Sequence, residues 1–337
     1  QAYTLTEGRD CPAVSLYVTI DEATLAVQAS ETRLERVPIV TNLRHDRLDD
    51  VITEASLAGA AAADYPFALE LAFAWRLACA LKARREVVRG KPENFNRPDY
   101  NFRIERADEG AEPRGDEAVQ ITMRKRGAPL DLIVAEAMIL ANSTWGGWLA
   151  DCGVPGIYRS QASLLPGVKV RMGVRPAPHA GMGVAQYTWA TSPLRRYVDL
   201  VNQWQIVACV RHGRTAALAA PFKPRDAQLF SVISAFDAAY GAYADFQRDI
   251  ERYWTLQWLA QQGTTELVAS VMKDGLVRSE ALPLVFKVLG TEALPRGTQV
   301  RVRVSGSDPL TLEVHASLLA RLDAAPVAAI EAQDAED

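Results

Sequence analysis

The chain has 337 residues, a net charge of −4 and 49% hydrophobic residues, so it can bury a full-sized core and corresponds to about two domains. This composition excludes a wholly disordered chain, a collagen-like fibre and a disulfide-stapled miniprotein. No run of about 18 uncharged apolar residues is present, and the four cysteines lie far apart without a C-x-x-C pair. We therefore expect no membrane partner, reduced thiols and a cytoplasmic location.

The first two-thirds of the chain alternate between strand-like and helical patterns. Residues 1–50 alternate polar and apolar positions, which predicts two half-buried strands joined by a turn at residues 21–23. A helical period begins at Asp64, with Pro66 in the first turn and Gly90 as the stop. Residues 91–130 are polar and irregular with short strands, and an apolar helix follows at residues 132–149.

A loop rich in Pro and Gly at residues 165–183 leads into the segment YTWATSPLRRYVDL at residues 187–200. Ser192 is a good helix cap and Pro193 suits the first helical position, which predicts a helix from there toward Gly213. Arg195 and Arg196 would then lie in its first turn. A very long helix is predicted at residues 225–262.

Four short strand-like runs follow Gly263, separated by Gly, Pro and Asp, and they predict a small closed barrel of the OB type. The fold class is therefore α+β. We predict a domain of mixed sheet and helices at residues 1–262, the barrel at residues 263–323, and an acidic, disordered tail at residues 324–337.

Positive charge is concentrated in one window of this acidic protein. Residues 159–214 contain eight Lys and Arg residues and one acid, Asp199. Such a window indicates an anionic ligand, although a solvated basic face accounts for it equally well. Two arginines in the first turn of a helix are unfavourable unless an anion such as phosphate docks there. The alternative is that one of them pairs with a buried carboxylate such as Asp199.

Residues 187–200 resemble the Y-x-x-x-T-S-P-[IL]-R-[RK]-Y-x-D-[LM] signature of the RNase II (RNB) family of exoribonucleases. Four other segments resemble family motifs in the family's order: FNRPDYNF at residues 95–102, IVAEAMILAN at 133–142, GIY at 156–158 and PHAGMG at 178–183. The resemblance implies an RNB-type catalytic domain followed by an OB-type RNA-binding barrel. It also implies a processive 3′→5′ hydrolase of single-stranded RNA that releases nucleoside 5′-monophosphates.

The resemblance also implies roles for individual residues. Arg195 matches the arginine that the family directs at the scissile phosphate, where it would stabilise developing charge as a catalytic residue. RNA-binding roles follow for the residues that match the motifs: Phe95, His179, Tyr187, Thr191, Ser192 and Arg196. The alternatives are a core position for Phe95, a structural role for His179, and capping or packing for the signature residues.

Two departures from the family concern the metal site and the long helix. The family holds Mg²⁺ with four aspartates in a D-x-x-x-x-x-D-x-D-D motif, and the nearest segment here, HDRLDD at residues 45–50, has the wrong spacing. We therefore expect the Mg²⁺ ligands upstream of Gln1, in a longer polypeptide of which this chain is a C-terminal fragment. Gln247 stands where the family has a glutamate, and Ala135 replaces the first member of its E-E pair. Glutamine can still bind RNA but cannot act as a base.

The expected partner is single-stranded RNA, and the expected state is a monomer or a complement to an upstream fragment of the same polypeptide. A noncatalytic RNA-binding protein on the same fold, lacking the metal site, is the alternative function.

Overall fold

The computed structural model describes residues 3–59, 63–93, 98–105, 112, 114, 117–124, 127–165 and 167–322, without the side chains of residues 45 and 46. The chain divides into two compact units, residues 1–96 with 126–240 and residues 97–125 with 241–337. The domain limits suggested by the sequence, at residues 262 and 323, stay a prediction. Phe95 and the tail at residues 324–337 lie outside the described residues.

The first unit begins with an antiparallel hairpin of β1 (Asp10–Ile20) and β2 (Val27–Pro38), as the polar and apolar alternation predicts. The Asp21 carboxylate closes the turn by accepting hydrogen bonds from the N–H and the hydroxyl of Thr24, both at 2.7 Å. The hairpin is fixed to the rest of the unit by the Trp145 indole N–H, which donates to Thr32 Oγ1 at 3.1 Å.

Three helices follow the hairpin: α1 (His45–Leu48), α2 (Glu54–Ala58) and α3 (Ala68–Arg89). The prediction that Pro66 lies in the first turn of the third helix is wrong. Phe67, at φ 61°, adopts the left-handed conformation and interrupts the backbone, so α3 begins at Ala68. The predicted end is confirmed, because Gly90 at φ 74° caps the helix and donates to the carbonyl of Glu86.

The chain continues with β3 (Asp99–Glu105) and β4 (Ala118–Arg124), an antiparallel hairpin that belongs to the second unit. It returns to the first unit with α4 (Pro129–Asp151), then β5 (Tyr158–Ser160) paired with β6 (Arg171–Gly173). Next come α5 (Tyr197–His212), a 3₁₀ turn (Gly213–Thr215) and α6 (Ala216–Ala219). Buried side chains of α4 and α5, including Trp145, Leu149 and Ile206, share one apolar core.

The start of α5 differs from the sequence prediction. Ser192 does not cap the helix, and Arg195 and Arg196 are not in its first turn, because α5 begins at Tyr197 with an extended Arg196 before it. The N–H groups of both arginines donate to the carbonyl of Ser192, which closes a separate turn. The Ser192 N–H itself donates to the carboxylate of Asp199 at 2.8 Å. This side chain in the first turn of α5 ties the turn to the helix without continuing it.

Helix α7 (Ala227–Gln262) is continuous, and its residues from Gly241 onward belong to the second unit. Five strands follow: β7 (Glu266–Val271), β8 (Leu276–Ser279), β9 (Val285–Lys287), β10 (Gln299–Asp308) and β11 (Glu313–Arg321). They form one antiparallel sheet in the order β11-β10-β7-β8-β9. A bridge between Leu289, just after β9, and Ser317 in β11 joins the two edges.

This curled sheet confirms the predicted OB-like barrel and the α+β fold class. Its interior is filled by the inward-facing residues of the alternating strands, Val300, Val302 and Phe286 among them, packed with Leu256 and Leu259 of α7. No helix within the described part of the chain is long and apolar enough to cross a membrane.

Candidate nucleic-acid interface

The site is built where β5 lies beside residues 187–189. The Arg159 N–H donates to the Tyr187 carbonyl at 2.8 Å, and Tyr158 and Thr188 form a β-bridge. Asn202, a fully buried residue of α5, joins the same two segments. Its amide oxygen accepts from the Ile157 N–H at 2.7 Å, and its amide nitrogen donates to the carbonyls of Ile157 at 2.9 Å and Trp189 at 2.8 Å. The register of the two segments is therefore fixed by one side chain.

A second buried amide, Asn142 of α4, orients the start of the signature segment. It accepts from the Ala190 N–H at 2.9 Å and donates to the hydroxyls of Tyr187 and Thr191, both at 3.3 Å. Burial raises the pKa of Tyr187, so its phenol stays protonated. Asn142 thus positions Tyr187 and Thr191, two residues predicted to bind RNA. The sequence analysis used Asn142 only as part of a motif.

Trp189 is the centre of an aromatic and cationic cluster. The guanidinium carbons of Arg159 and Arg196 lie 3.7 Å and 4.0 Å from the centre of its ring, within cation–π range. The indole also contacts Phe236 and Tyr240 of α7, with ring centres 6.3 Å and 6.1 Å away. Trp189 occupies a variable position of the family signature, so sequence reasoning gave it no role.

Arg196 is paired within the protein. Its Nη2 donates to Asp199 Oδ1 at 2.7 Å, and the Asp199 carboxylate is fully buried. The alternative in which one of the two arginines pairs with Asp199 is therefore realised by Arg196. Ser192 contributes its backbone N–H to the same carboxylate oxygen.

Arg195, by contrast, is exposed. Its Nη2 donates to the Ser192 hydroxyl at 3.4 Å, and within the described residues it has no carboxylate partner. The predicted catalytic arginine is thus a charge that the protein does not neutralise, at the tip of the turn before α5.

Arg159 is a second cation without a carboxylate partner, although it is half-buried. Its guanidinium has no hydrogen-bond acceptor among the described residues, and its Nε is buried without a partner. Burial lowers the pKa of Arg159, and the nearby charge of Arg196 acts in the same direction. Sequence reasoning counted Arg159 only as part of the basic window; the signal that was available is its place next to Tyr158 in the GIY motif.

His179 is buried and tied to its own turn. Its Nδ1 accepts from the Met182 N–H at 3.2 Å, which in the neutral imidazole assigns the proton to Nε2. Burial, and then the charge of Arg159, lower the pKa of His179. These contacts are those of a structural histidine, and contact of His179 with phosphate stays a prediction.

Gln247 lies in the second unit, on α7. It lines an open cleft of about 350 Å³ together with aromatic side chains of α7 and β3, namely Phe102, Tyr243, Phe246 and Trp254. The Gln247 amide nitrogen donates to Glu251 Oε1 at 2.9 Å. Phe246 and Tyr243 are exposed, so the cleft offers ring faces to which bases can stack.

The side chains in the described part of the chain do not form a magnesium site. The described residues contain no group of three or more His, Cys, Asp or Glu side chains placed to hold a metal. Glu136, the remaining acid of the family's E-E pair, is buried and engaged by Arg85, whose Nε donates to it at 2.9 Å. Arg85 also pairs with Glu93 at 3.0 Å, so this carboxylate network is structural.

The chain that carries this signature segment matches a known protein family. The family described as RNB domain matches residues 1–169 and 164–212. The chain belongs to the RNB domain family.

Two curated relatives are similar to parts of the chain. An uncharacterized ribonuclease of Synechocystis is 30% identical over 226 residues, which is 58% of this chain and 32% of the relative. The mitochondrial exoribonuclease II of Saccharomyces cerevisiae is 27% identical over 183 residues, 43% of this chain and 18% of that protein. The chain thus spans about a third or less of the length of these relatives.

Solved structures resemble the fold over nearly the whole chain. Mycoplasma genitalium RNase R in complex with ribose-methylated single-stranded RNA superposes with a TM-score of 0.71 at 14% identity, covering 95% of this chain and 59% of that one. Yeast Ssd1, a pseudonuclease, superposes with a TM-score of 0.56 at 13% identity, covering 90% and 43%. At these identities the likeness concerns the fold alone.

Proposed function

We propose that this chain is the RNA-binding and phosphate-orienting part of a 3′→5′ exoribonuclease that degrades single-stranded RNA processively to nucleoside 5′-monophosphates. In this proposal Arg195 contacts the scissile phosphate, and its fork of donors stabilises the charge that grows on the phosphoryl oxygens. Tyr187, Thr191, Ser192 and Arg196 shape the surface around it. Phe95 and Gln247 contact bases or sugars.

The observation that supports this proposal is an excess of positive charge in the segment matched by the RNB family. Three arginines lie in or beside the signature, and one buried carboxylate, Asp199, is paired with one of them, Arg196. Arg159 and Arg195 have no ion-pair partner among the described residues. Phosphodiesters are anions that guanidinium groups bind in a forked geometry. The names of the relatives, ribonuclease and exoribonuclease II, agree with this assignment.

Mg²⁺ belongs to the proposal as a cofactor whose ligands lie outside the described residues. When bound in such nucleases, divalent metals activate water and stabilise the leaving oxygen. The chain's own residues would bind the phosphate, orient it and hold the RNA strand.

The test is degradation of a 5′-labelled single-stranded oligonucleotide by the full-length protein, with Mg²⁺ or with EDTA. We expect successive shortening from the 3′ end, release of nucleoside 5′-monophosphates, and full loss of activity in EDTA. Cuts within the strand, or products with 3′-phosphates, would contradict the proposal.

A noncatalytic RNA-binding protein is the second candidate. It is favoured by two observations: the described residues hold no metal-binding group, and the fold is shared with Ssd1, a pseudonuclease. In the same assay it would bind the oligonucleotide and leave it intact with Mg²⁺, Mn²⁺ or EDTA.

A further inference from the structure

Arg159 lies beside Trp189 and has no ion-pair partner among the described residues. It matches none of the residues to which the resemblance gives a role. Its backbone is fixed by the Tyr187 carbonyl on β5, and its guanidinium lies 3.7 Å from the centre of the Trp189 ring. Stacking on an indole sets the plane of a guanidinium and leaves the donors at its edge free. Arg159 is therefore held in place without being neutralised.

The neighbouring charges leave an excess at Arg159. Arg196 lies 4.0 Å from the same ring centre, so the two guanidinium carbons are at most about 8 Å apart and repel each other. Asp199 compensates Arg196 through a 2.7 Å ion pair. The acid that faces Arg159 from α7 is Asp237, which is exposed and makes no ion pair with it. Tyr187, Tyr240 and His179 complete the surroundings.

The three nitrogens of the Arg159 guanidinium differ in burial. Nε is buried without a partner, whereas Nη1 and Nη2 are not among the fully buried atoms and make no hydrogen bond within the described part of the chain. A half-buried cation whose terminal donors have no partner is stabilised when an anion accepts from those donors. An oxyanion with two or more acceptor oxygens, such as a phosphate, suits the fork.

We propose that Arg159 binds a backbone phosphate of single-stranded RNA at a position other than the scissile one, and that Trp189 and the Arg196–Asp199 pair position its guanidinium. The inference rests on the proposed function, since the phosphate is that of the RNA strand. The three arginines then have different roles. Arg159 contacts the RNA strand, Arg195 contacts the scissile phosphate, and Arg196, paired with Asp199, positions Arg159.

The first test compares Arg159→Gln with Arg171→Gln in the full-length protein. Arg171 is an exposed arginine of β6, opposite Ser160, and serves as a matched control for the loss of one positive charge. Binding of a fluorescein-labelled oligouridylate is measured by anisotropy in EDTA over a series of salt concentrations. We expect Arg159→Gln to lose about tenfold in affinity and to reduce the salt slope by about 0.7. The control should lose less than about twofold.

The second test locates the phosphate. Oligonucleotides that carry a single methylphosphonate, which removes the charge of one phosphate, are scanned along the strand. At one interior position we expect the wild type to lose about tenfold and Arg159→Gln to lose nothing further, because both changes remove the same contact. Arg159→Lys, which keeps the charge, should preserve the salt slope and lose part of the affinity. It is also the variant to use if Arg159→Gln does not fold.

The outcomes separate this inference from the function on which it rests. A wild-type protein that binds no oligouridylate overturns both. Two outcomes with normal wild-type binding overturn only the role of Arg159. In the first, Arg159→Gln and Arg171→Gln lose the same affinity. In the second, the affinity losses from Arg159→Gln and from the methylphosphonate add up at every position of the strand. Inorganic phosphate that binds the wild type and not Arg159→Gln, while both proteins bind oligouridylate equally, would show a site for free phosphate and overturn the assignment to the RNA strand.

Discussion

The buried carboxylate of Asp199 is expected to be the most sensitive point of the signature segment. Its Oδ1 accepts from Arg196 Nη2 at 2.7 Å and from the Ser192 N–H at 2.8 Å, and the side chain has no exposed surface. Breaking a buried ion pair by removing one partner costs about 3–5 kcal/mol, because the other charge is left uncompensated. We therefore expect Asp199→Ala to lower the free energy of unfolding by about 3–5 kcal/mol.

Asp199→Asn removes the negative charge of the side chain but keeps an oxygen that can accept hydrogen bonds. The amide oxygen can still accept from the Ser192 N–H, so about 1–2 kcal/mol should be recovered relative to alanine. Urea denaturation of the wild type and both variants measures the difference, with Arg195→Ala as an exposed control expected to change stability by less than about 0.5 kcal/mol. Equal stability of Asp199→Ala and the wild type would refute the view that this carboxylate holds the turn before α5.

Three further predictions concern other parts of the first unit. Asn202→Ala removes three hydrogen bonds to backbone groups, two of them buried and one partly buried, and should cost about 3–4 kcal/mol. Its neighbour Gln203→Ala removes one bond to the Ala190 carbonyl and should cost about 1 kcal/mol. Equal denaturation midpoints for the two variants would contradict this. Gly183→Ala should cost about 3 kcal/mol or more, because φ is +66° and a Cβ would lie 2.2 Å from the Arg85 carbonyl oxygen. Gly167→Ala, at φ +87° in open space, should cost only about 1–2 kcal/mol, and similar thermal shifts for the two would count against the steric argument. Arg195→Ala in the complete enzyme should lower kcat about 10²–10³-fold with a much smaller loss of RNA affinity, measured by single-turnover degradation beside a binding titration; equal losses would reduce Arg195 to an electrostatic anchor.

Much of the local structure follows from the sequence because it depends on short-range preferences. The alternation in residues 10–38 produces the first hairpin, and Gly90 and Gly263 end their helices in the left-handed conformation that glycine adopts without strain. The barrel was also predictable, although one strand was missed. The strand Leu276–Ser279 is four residues long and follows a tight turn at Asp274 and Gly275, both with positive φ, so its signal merged with that of the preceding run.

The signature segment shows where such preferences are insufficient. Ser-Pro followed by an apolar period is typical of a capped helix, but the Asp199 carboxylate takes the Ser192 N–H and binds Arg196, and the helix starts later. A hydrogen bond across seven residues to a buried acid competes with the local cap and wins, because it satisfies Oδ1 of a buried carboxylate.

The sequence by itself determined the RNB family, the long helices and the first hairpin, and the basic character of residues 159–214. Those properties depend on motif identity, periodicity and charge, which can be read along the chain. Only the tertiary structure decided which arginine pairs with a carboxylate. Arg159 and Arg196 are 37 positions apart, yet both contact Trp189. They meet there because Asn202 binds the backbone of Ile157, next to β5, and the backbone of Trp189. Two cations of equal charge thus differ in their ion pairing, because the Asp199 carboxylate pairs with Arg196 and not with Arg159.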